Sequence, residues 1–293
     1  MNGRLVILAG GVSSRMKQSF AGSQELDCKL LNDAEQKSKS MIRLGEGERP
    51  FLDYLLLNAR LAGYEEIVIV VSEKDNSIKD YYKSKKNDSW FEGIVISYAT
   101  QIIPAGRTKP LGTADALLQA LLAKKSWKGL SFTMCNSDNL YSLNAFRMMI
   151  NSDYPNAMID YNREDLGVEK ERVEKFAVTK KDTEGFLVDI IEKPSLLEIE
   201  SVKSASGFVG VSMNIFKFSY DMIRPALEIV PINEIRNEKE LPTAVKLMLD
   251  KFPKSLFCYP LRETVPDLTS KQDILKVKSF LNKTFILNNH EKD

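Results

Sequence analysis

An α/β fold built around a parallel sheet is the class this chain predicts, on three observations. Short β-branched runs alternate with stretches of helical period through the first half, the pattern of βαβ units. The 293 residues, 43% apolar and 28% charged, suffice for one large core. After residue 150 the pattern changes, and strand-like runs crowd together as in a mixed sheet laid over the first.

In order along the chain, strands are expected at residues 5–9, 66–71, 94–98 and 130–135. "PFLDYLLLNARLAGY" (50–64) opens on proline and carries apolar residues at helical spacing, and "TADALLQALLAKK" (113–125) begins with a capping threonine, so both read as helices. Strands follow at 157–161, 176–179, 186–191 and 209–218, helices at 220–230 and 241–251, a strand at 255–259 and a last helix near 270–281. Residues 17–40 are polar without clear periodicity, and a loop that long is usually a functional lid or an insertion. Internal repeats, low-complexity segments and a convincing linker are all missing from the sequence.

Charge and composition exclude several classes. Net charge is +1, with 41 basic and 40 acidic residues interspersed, so neither a nucleic acid nor a membrane surface is an expected partner. Cys28, Cys135 and Cys258 form no CxxC pair and are odd in number, which fits a reducing cytoplasm rather than a disulfide framework or a zinc site. Residues 1–8 hold only a short apolar run, too little for a signal peptide or a spanning helix. The single histidine, His290, lies in a polar tail, so a histidine general base is close to excluded.

In a parallel sheet, ligands bind outside the carboxyl ends of the strands. Three predicted strands end in polar or glycine-rich segments: Gly10 and Gly11 in "LAGGVSSRM", Asp138 in "NSDN", and Lys193 in "EKP". Paired glycines let backbone N–H groups approach phosphate oxygens, and Arg15 adds a planar fork for the same anion; a plain turn with a solvated arginine fits equally. The loop is neither a Walker A motif nor GxGxxG. Asp138 is either a ligand for a hard divalent cation or a helix cap, and Asp267 in "VPDLTSKQD" is a second ligand or ordinary turn chemistry. "GRTKPLGTADALLQA" sets cations, a proline and a glycine before a helix N-terminus, which suits an anion or a flat base against backbone, and also a capped hinge. Lys193 is a phosphate ligand or a surface lysine beside a turn-making proline.

Taken together in this order, "LAGGVSSRM", "KSMIRLGEGERPFLDYLLLNARLAGYEEIVIVV", "KPLGTADAL", "NSDN", "IIEKP" and "VPDLTSKQDILK" resemble the sugar-phosphate nucleotidyltransferases, or nucleotide-sugar pyrophosphorylases. Within that superfamily, "GRTKPLGTADAL", "SDNLYSLNAF" and "VSMNIFKFS" are similar to a bacterial branch of predicted nucleotidyltransferases. The resemblance implies a Rossmann-like three-layer α/β core with a mixed sheet and a β-rich sugar-binding portion. It implies one nucleotidyltransferase domain, with a nucleotide-binding part at 1–150, a sugar-phosphate-binding and metal-completing part at 151–283 and a tail at 284–293. The implied reaction is attack by a sugar phosphate, or a polyol phosphate, on the α-phosphorus of a nucleoside triphosphate, releasing pyrophosphate with Mg²⁺. The attacking group is already an anion, so catalysis by positioning and charge neutralisation needs no base.

Carried over by position, the resemblance assigns catalysis to Arg15, Lys39, Asp138 and Lys193, and nucleotide binding to Leu8, Ala9, Gly10, Gly11, Arg15, Lys109, Pro110, Gly112 and Thr113. It assigns the sugar phosphate to Asn139, Glu192, Lys193 and Asn214, and Mg²⁺ to Asp138 and Asp267. Two departures stand out. The family places proline and lysine soon after the arginine-methionine pair, whereas residues 17–40 intervene here, so Lys17, Lys29 and Lys37 compete with Lys39; and the branch does not always carry aspartate at the position of Asp267. The partners implied are a nucleoside triphosphate and a sugar phosphate, with a homo-oligomer left open. A cytidylyltransferase acting on an alcohol phosphate, a molybdenum-cofactor nucleotidyltransferase, a glycosyltransferase with a related core and a non-catalytic nucleotide-sugar sensor are the competing readings.

Overall fold

Leu5, Val6 and Ile7 are fully buried, and they alternate between two cores: Leu5 and Ile7 enter one, Val6 and Leu8 the other. Ile67, Ile69 and Val71 face the first core, and Val68 and Val70 the second. A strand apolar on both faces must be covered on both faces, so helices lie above and below a central sheet. The computed structural model describes residues 3–11, 13–18, 26–85, 87–168, 170–173 and 176–286. His290 lies outside the described residues, as do positions 19–25 of the polar stretch.

Strand β1 (Gly3–Leu8) leads to helices α1 (Cys28–Gln36) and α2 (Phe51–Leu61), then to β2 (Tyr64–Ser72), α3 (Ser77–Ser84), β3 (Val95–Gln101), α4 (Thr113–Ala123), β4 (Ser131–Asn136) and α5 (Leu143–Ile150). The second half comprises β5 (Asn156–Asn162), α6 (Lys170–Val173), β6 (Val178–Lys181), β7 (Leu187–Ile191), α7 (Leu196–Ser201), β8 (Gly210–Ser219), α8 (Tyr220–Ile229), α9 (Leu241–Lys251), β9 (Leu256–Leu261) and α10 (Asp273–Leu281). Helices α1, α2, α3, α5 and α10 bury residues in the first core, whereas α4, α8 and α9 cover the other face.

The strands run in the order β3-β2-β1-β4-β8-β5-β9, with β6 and β7 attached as a hairpin beside β8. Strands β1 to β4 are mutually parallel, β8 is antiparallel to β4 and to β5, and β9 is parallel to β5. The predicted strands of the second half therefore extend the first sheet instead of lying over it. Strand β8 is the reason: its far half pairs with β4 while it also pairs with β5 along most of its length, joining the two halves edge to edge.

Residues 17–40 also differ from the aperiodic loop expected of them, because α1 lies inside the stretch. Asp27 caps it, accepting from the Leu30 backbone N–H at 2.8 Å. The buried residues of the helix are Leu30, Ala34 and Asp33, with Leu31 partly buried against the same core. Burial pushes the Asp33 carboxyl up, but hydrogen bonds from Arg43 and Lys37 outweigh it and hold the carboxyl below its ordinary value. An ion-paired acid in a core-facing position hides the helical period. Among the described residues no helix is long and apolar enough to cross a membrane.

Candidate active site

Strand order reverses at β1, whose neighbours β2 and β4 leave it on opposite sides, and the crevice beyond the carboxyl ends of β1 and β4 is where an α/β sheet binds ligands. A cavity of about 220 Å³ opens there. Leu8 to Gly11 form its floor after β1, Asn136 to Asp138 border it after β4, and Lys39, Gln101, Gly112 and Thr113 close it. The Ser137 N–H donates to the Leu8 carbonyl at 3.1 Å, which extends the β1–β4 pairing to the rim. A Cβ on Gly10 would stand 3.0 Å from Oε1 of Gln101, whereas one on Gly11 would meet nothing. Gly11 thus leaves its backbone open to a ligand. On the opposite wall α4 points its N-terminus at the cavity, and the buried Gln101 amide donates to the Gly112 carbonyl at 2.9 Å and to Asp115 at 2.8 Å.

Lys39 sits in a short turn of 3₁₀ helix, its backbone N–H donating to Ser13 Oγ at 3.2 Å, which ties this turn to the segment after the glycines. Its ammonium lies 2.5 Å from Asp138 Oδ2, and both side chains are largely shielded, at 17% and 20% exposure. Beyond Asp138 the chain meets the segment after β9: Asn139 bridges Asp267, the Leu268 N–H donates to the Asp138 carbonyl at 2.8 Å, and the Leu140 N–H to the Pro266 carbonyl at 2.9 Å. Two acids far apart in sequence therefore stand on adjoining segments. Burial, then the negative charge of Asp138, pushes the Asp267 carboxyl up to about 6, against the pull of Arg172. The Arg172 guanidinium spans Asp267 at 2.6 Å and Asp273 at 2.5 Å, and Thr269 Oγ1 donates to Asp267 at 2.6 Å.

The sequence profile of a family described as Nucleotidyl transferase matches residues 34–279. The chain belongs to that family. Among curated proteins it is 24% identical over 146 residues to D-glycero-alpha-D-manno-heptose 1-phosphate guanylyltransferase of Campylobacter jejuni, a match that takes in 50% of this chain and 52% of that protein. The chain thus spans about half the length of this relative. Among solved structures, a UDP-glucose pyrophosphorylase complexed with UDP-glucose superposes with a TM-score of 0.68 at 18% identity, over 97% of this chain and 99% of the other. A UTP-bound UGPase from Acinetobacter baumannii superposes with a TM-score of 0.66 at 20% identity, over all of both chains. The likeness confirms the mixed α/β fold with its mostly parallel core.

In this nucleotidyl transferase the remaining predicted residues fall in three places. Lys109 and Pro110 line the first cavity with the residues above. Arg15 lines a second cavity of about 840 Å³, which it shares with Arg172, Asp267 and α10. Asp267 is thus the wall between the site around Asp138 and the space beside Arg15. Glu192 and the exposed Lys193 line neither cavity; Lys193 takes a left-handed backbone at φ 49°, and Glu192 pairs with Arg236 at 3.3 Å. Asn139 and Asn214 lie behind the crevice around Tyr141, whose hydroxyl donates to the Met213 carbonyl at 2.6 Å and contacts Asn139 Oδ1 and the Asn214 carbonyl at 3.4 Å each. Sequence reasoning passed over Gln101, Ser13 and Glu238 in the cavity wall. Gln101 ends β3, so the strand-end rule that found Gly10 and Asp138 would have found it too.

Proposed function

We propose that this protein condenses a nucleoside triphosphate with a sugar phosphate, giving a nucleotide-sugar and pyrophosphate by in-line attack on the α-phosphorus. One observation carries the reading: an open glycine turn, a shielded lysine and two adjoining aspartates meet at the strand switch point of a nucleotidyl transferase fold. The relatives lend support, since their names specify a heptose 1-phosphate and UDP-glucose.

In this reading the Gly10 and Gly11 backbone and Lys39 hold the triphosphate, with Arg15 at the pyrophosphate end. The base lies toward Gln101 and Gly112, on the residue 1–150 side, and the acceptor is assigned to Asn139 after β4 together with Glu192, Lys193 and Asn214 from the 151–283 side, all four of them outside the cavity lining. Lys39 gives up its contact with Asp138 and turns its charge to the phosphates as they enter. The donor set suits Mg²⁺, which takes one or two carboxylates and fills its other positions from substrate phosphate and water; among the described residues Asp138 and Asp267 provide that pair of hard oxygens, and their mutual repulsion is what a cation relieves. When bound, Mg²⁺ would neutralise phosphate charge. No general base is required, because the attacking phosphate is ionised.

Pyrophosphate release tests the reading, with each common nucleoside triphosphate set against hexose 1-phosphates, heptose 1-phosphates, polyol phosphates and phosphocholine. Release from one triphosphate and one sugar phosphate, abolished by chelation of Mg²⁺, is the expected result. Release with phosphocholine alone would transfer the assignment to an alcohol-phosphate cytidylyltransferase, and binding of nucleotide without any turnover would indicate a sensor.

A further inference from the structure

The base end of the crevice carries a charged pair. Lys109 and Glu238 both line the cavity, with Nζ 2.7 Å from Oε1, and they come from distant segments: Lys109 from the loop before α4, Glu238 from the turn between α8 and α9. That turn is locked onto the loop through its backbone. The Lys239 N–H donates to the Leu111 carbonyl at 2.5 Å, the Ala114 N–H to the Lys239 carbonyl at 3.0 Å, and the Leu241 N–H to Thr113 Oγ1 at 3.0 Å. Arg107 adds hydrogen bonds to the Asn237 carbonyl and side chain. Gly112 permits the fit: at φ 106° it holds a conformation that favours glycine, and a Cβ there would stand 2.7 Å from the Lys239 carbonyl.

Despite this fixed placement, the two side chains keep 43% and 33% of their surface exposed. Each has bonding capacity to spare. The ammonium has three donors, of which one goes to Glu238 and another to the Arg236 carbonyl at 3.2 Å, and a carboxylate offers about four lone-pair sites. The pair therefore presents a donor next to two acceptors.

Building on the nucleotidyl-transfer reading, we infer that Lys109 and Glu238 together select the base, and that the base is guanine. The pairing edge of guanine runs from O6, an acceptor, to N1–H and N2–H₂, two donors. Lys109 meets O6, and the two oxygens of Glu238 take the two N–H groups. Uracil offers one N–H between two carbonyls, so one carbonyl would face the carboxylate. Cytosine and adenine each bring a single donor group and leave part of the pair unmatched. A site built to pair polar groups rejects bases that leave those groups unpaired.

The experiment is calorimetric binding of GTP, ATP, CTP and UTP, with Mg²⁺ and without acceptor, to the full chain and to Glu238→Gln. We expect GTP to bind roughly ten- to a hundredfold more tightly than the others, the discrimination of a good bidentate contact. Glu238→Gln should erase that preference by weakening GTP while UTP binding holds or improves. Should Glu238→Gln fail to fold by circular dichroism, Lys109→Gln serves, and it should weaken GTP more than UTP. Triphosphates bound without preference for guanine, or a preference that survives loss of the Glu238 charge, would overturn the inference and leave the transferase reading to stand on pyrophosphate release. A chain that binds no triphosphate would overturn both.

Discussion

Two acids in this molecule have carboxyl groups raised by burial, and they differ in what their neighbours add. Asp53, in α2, is fully enclosed, and burial pushes it up while every neighbour pulls it down: Tyr81 donates at 2.8 Å, Tyr82 at 2.9 Å and Arg49 at 3.1 Å. Arg49 is itself fixed by Asp88 at 3.0 Å and lies 4.1 Å over the Trp90 ring. Asp267 is raised by burial and then further by another acid, Asp138. The first arrangement satisfies itself and serves the fold. The second has partners too, Lys39 on Asp138 and Arg172 on Asp267, yet it still sets two acids side by side, the arrangement on which the proposed Mg²⁺ site rests.

The contrast breaks or holds on two substitutions. Asp53→Ala leaves the Arg49 charge and two tyrosine hydroxyls without their acceptor and should cost about 3–5 kcal/mol of stability, the usual loss on breaking a buried pair. Urea midpoints measure it, and the folded fraction should release pyrophosphate at an unchanged rate. Asp138→Asn should act the other way round. Turnover is expected to fall by about a hundred- to a thousandfold, the scale for removing one preorganised electrostatic group. The melting temperature should fall less than in the Asp53 variant, because losing the pair with Lys39 is offset by relief of the charge pressing on Asp267. A variant at Asp138 as unstable as one at Asp53 would make both acids structural and dissolve the comparison.

The two acids also differ in how far the sequence discloses them. Strands such as β1 and β2 are readable to within a residue or two because an uninterrupted apolar run has one outcome, burial on both faces. Gly10 and Gly11 follow from β1, and Asp138 from β4, by the strand-end rule. The placement of Asp267 beside Asp138 needs the pairing of Asn139 with the segment after β9, a contact set by the packing of the whole sheet, so the residues alone left Asp267 between a second ligand and ordinary turn chemistry. Helix α1 was hidden because Asp33 occupies one of its few buried positions. Glu238 had no signal at all: an acid in a polar turn reads as solvated until the backbone of Lys239 is seen against Gly112.

The burial of Asp53 also makes its contribution to stability depend on pH. The Asp53 carboxyl is raised above its ordinary value of 3.8, so in the interval above that value the native state holds a proton that the unfolded chain has released. Stability changes with pH in proportion to the protons bound by the unfolded state minus those bound by the native state, which here is negative. This residue's contribution is therefore greatest in acid and declines as pH rises through the interval up to the native pKa. Asp53→Asn does not titrate, so the gap in unfolding free energy between wild type and Asp53→Asn should shift against the wild type as pH rises from 3.8 and then level off. Denaturant titrations of both proteins across that range measure the shift. A gap that stays constant would mean that Arg49 and the two tyrosines hold Asp53 at its ordinary value, and that hydrogen bonding, rather than burial, sets the ionisation of the structural acid.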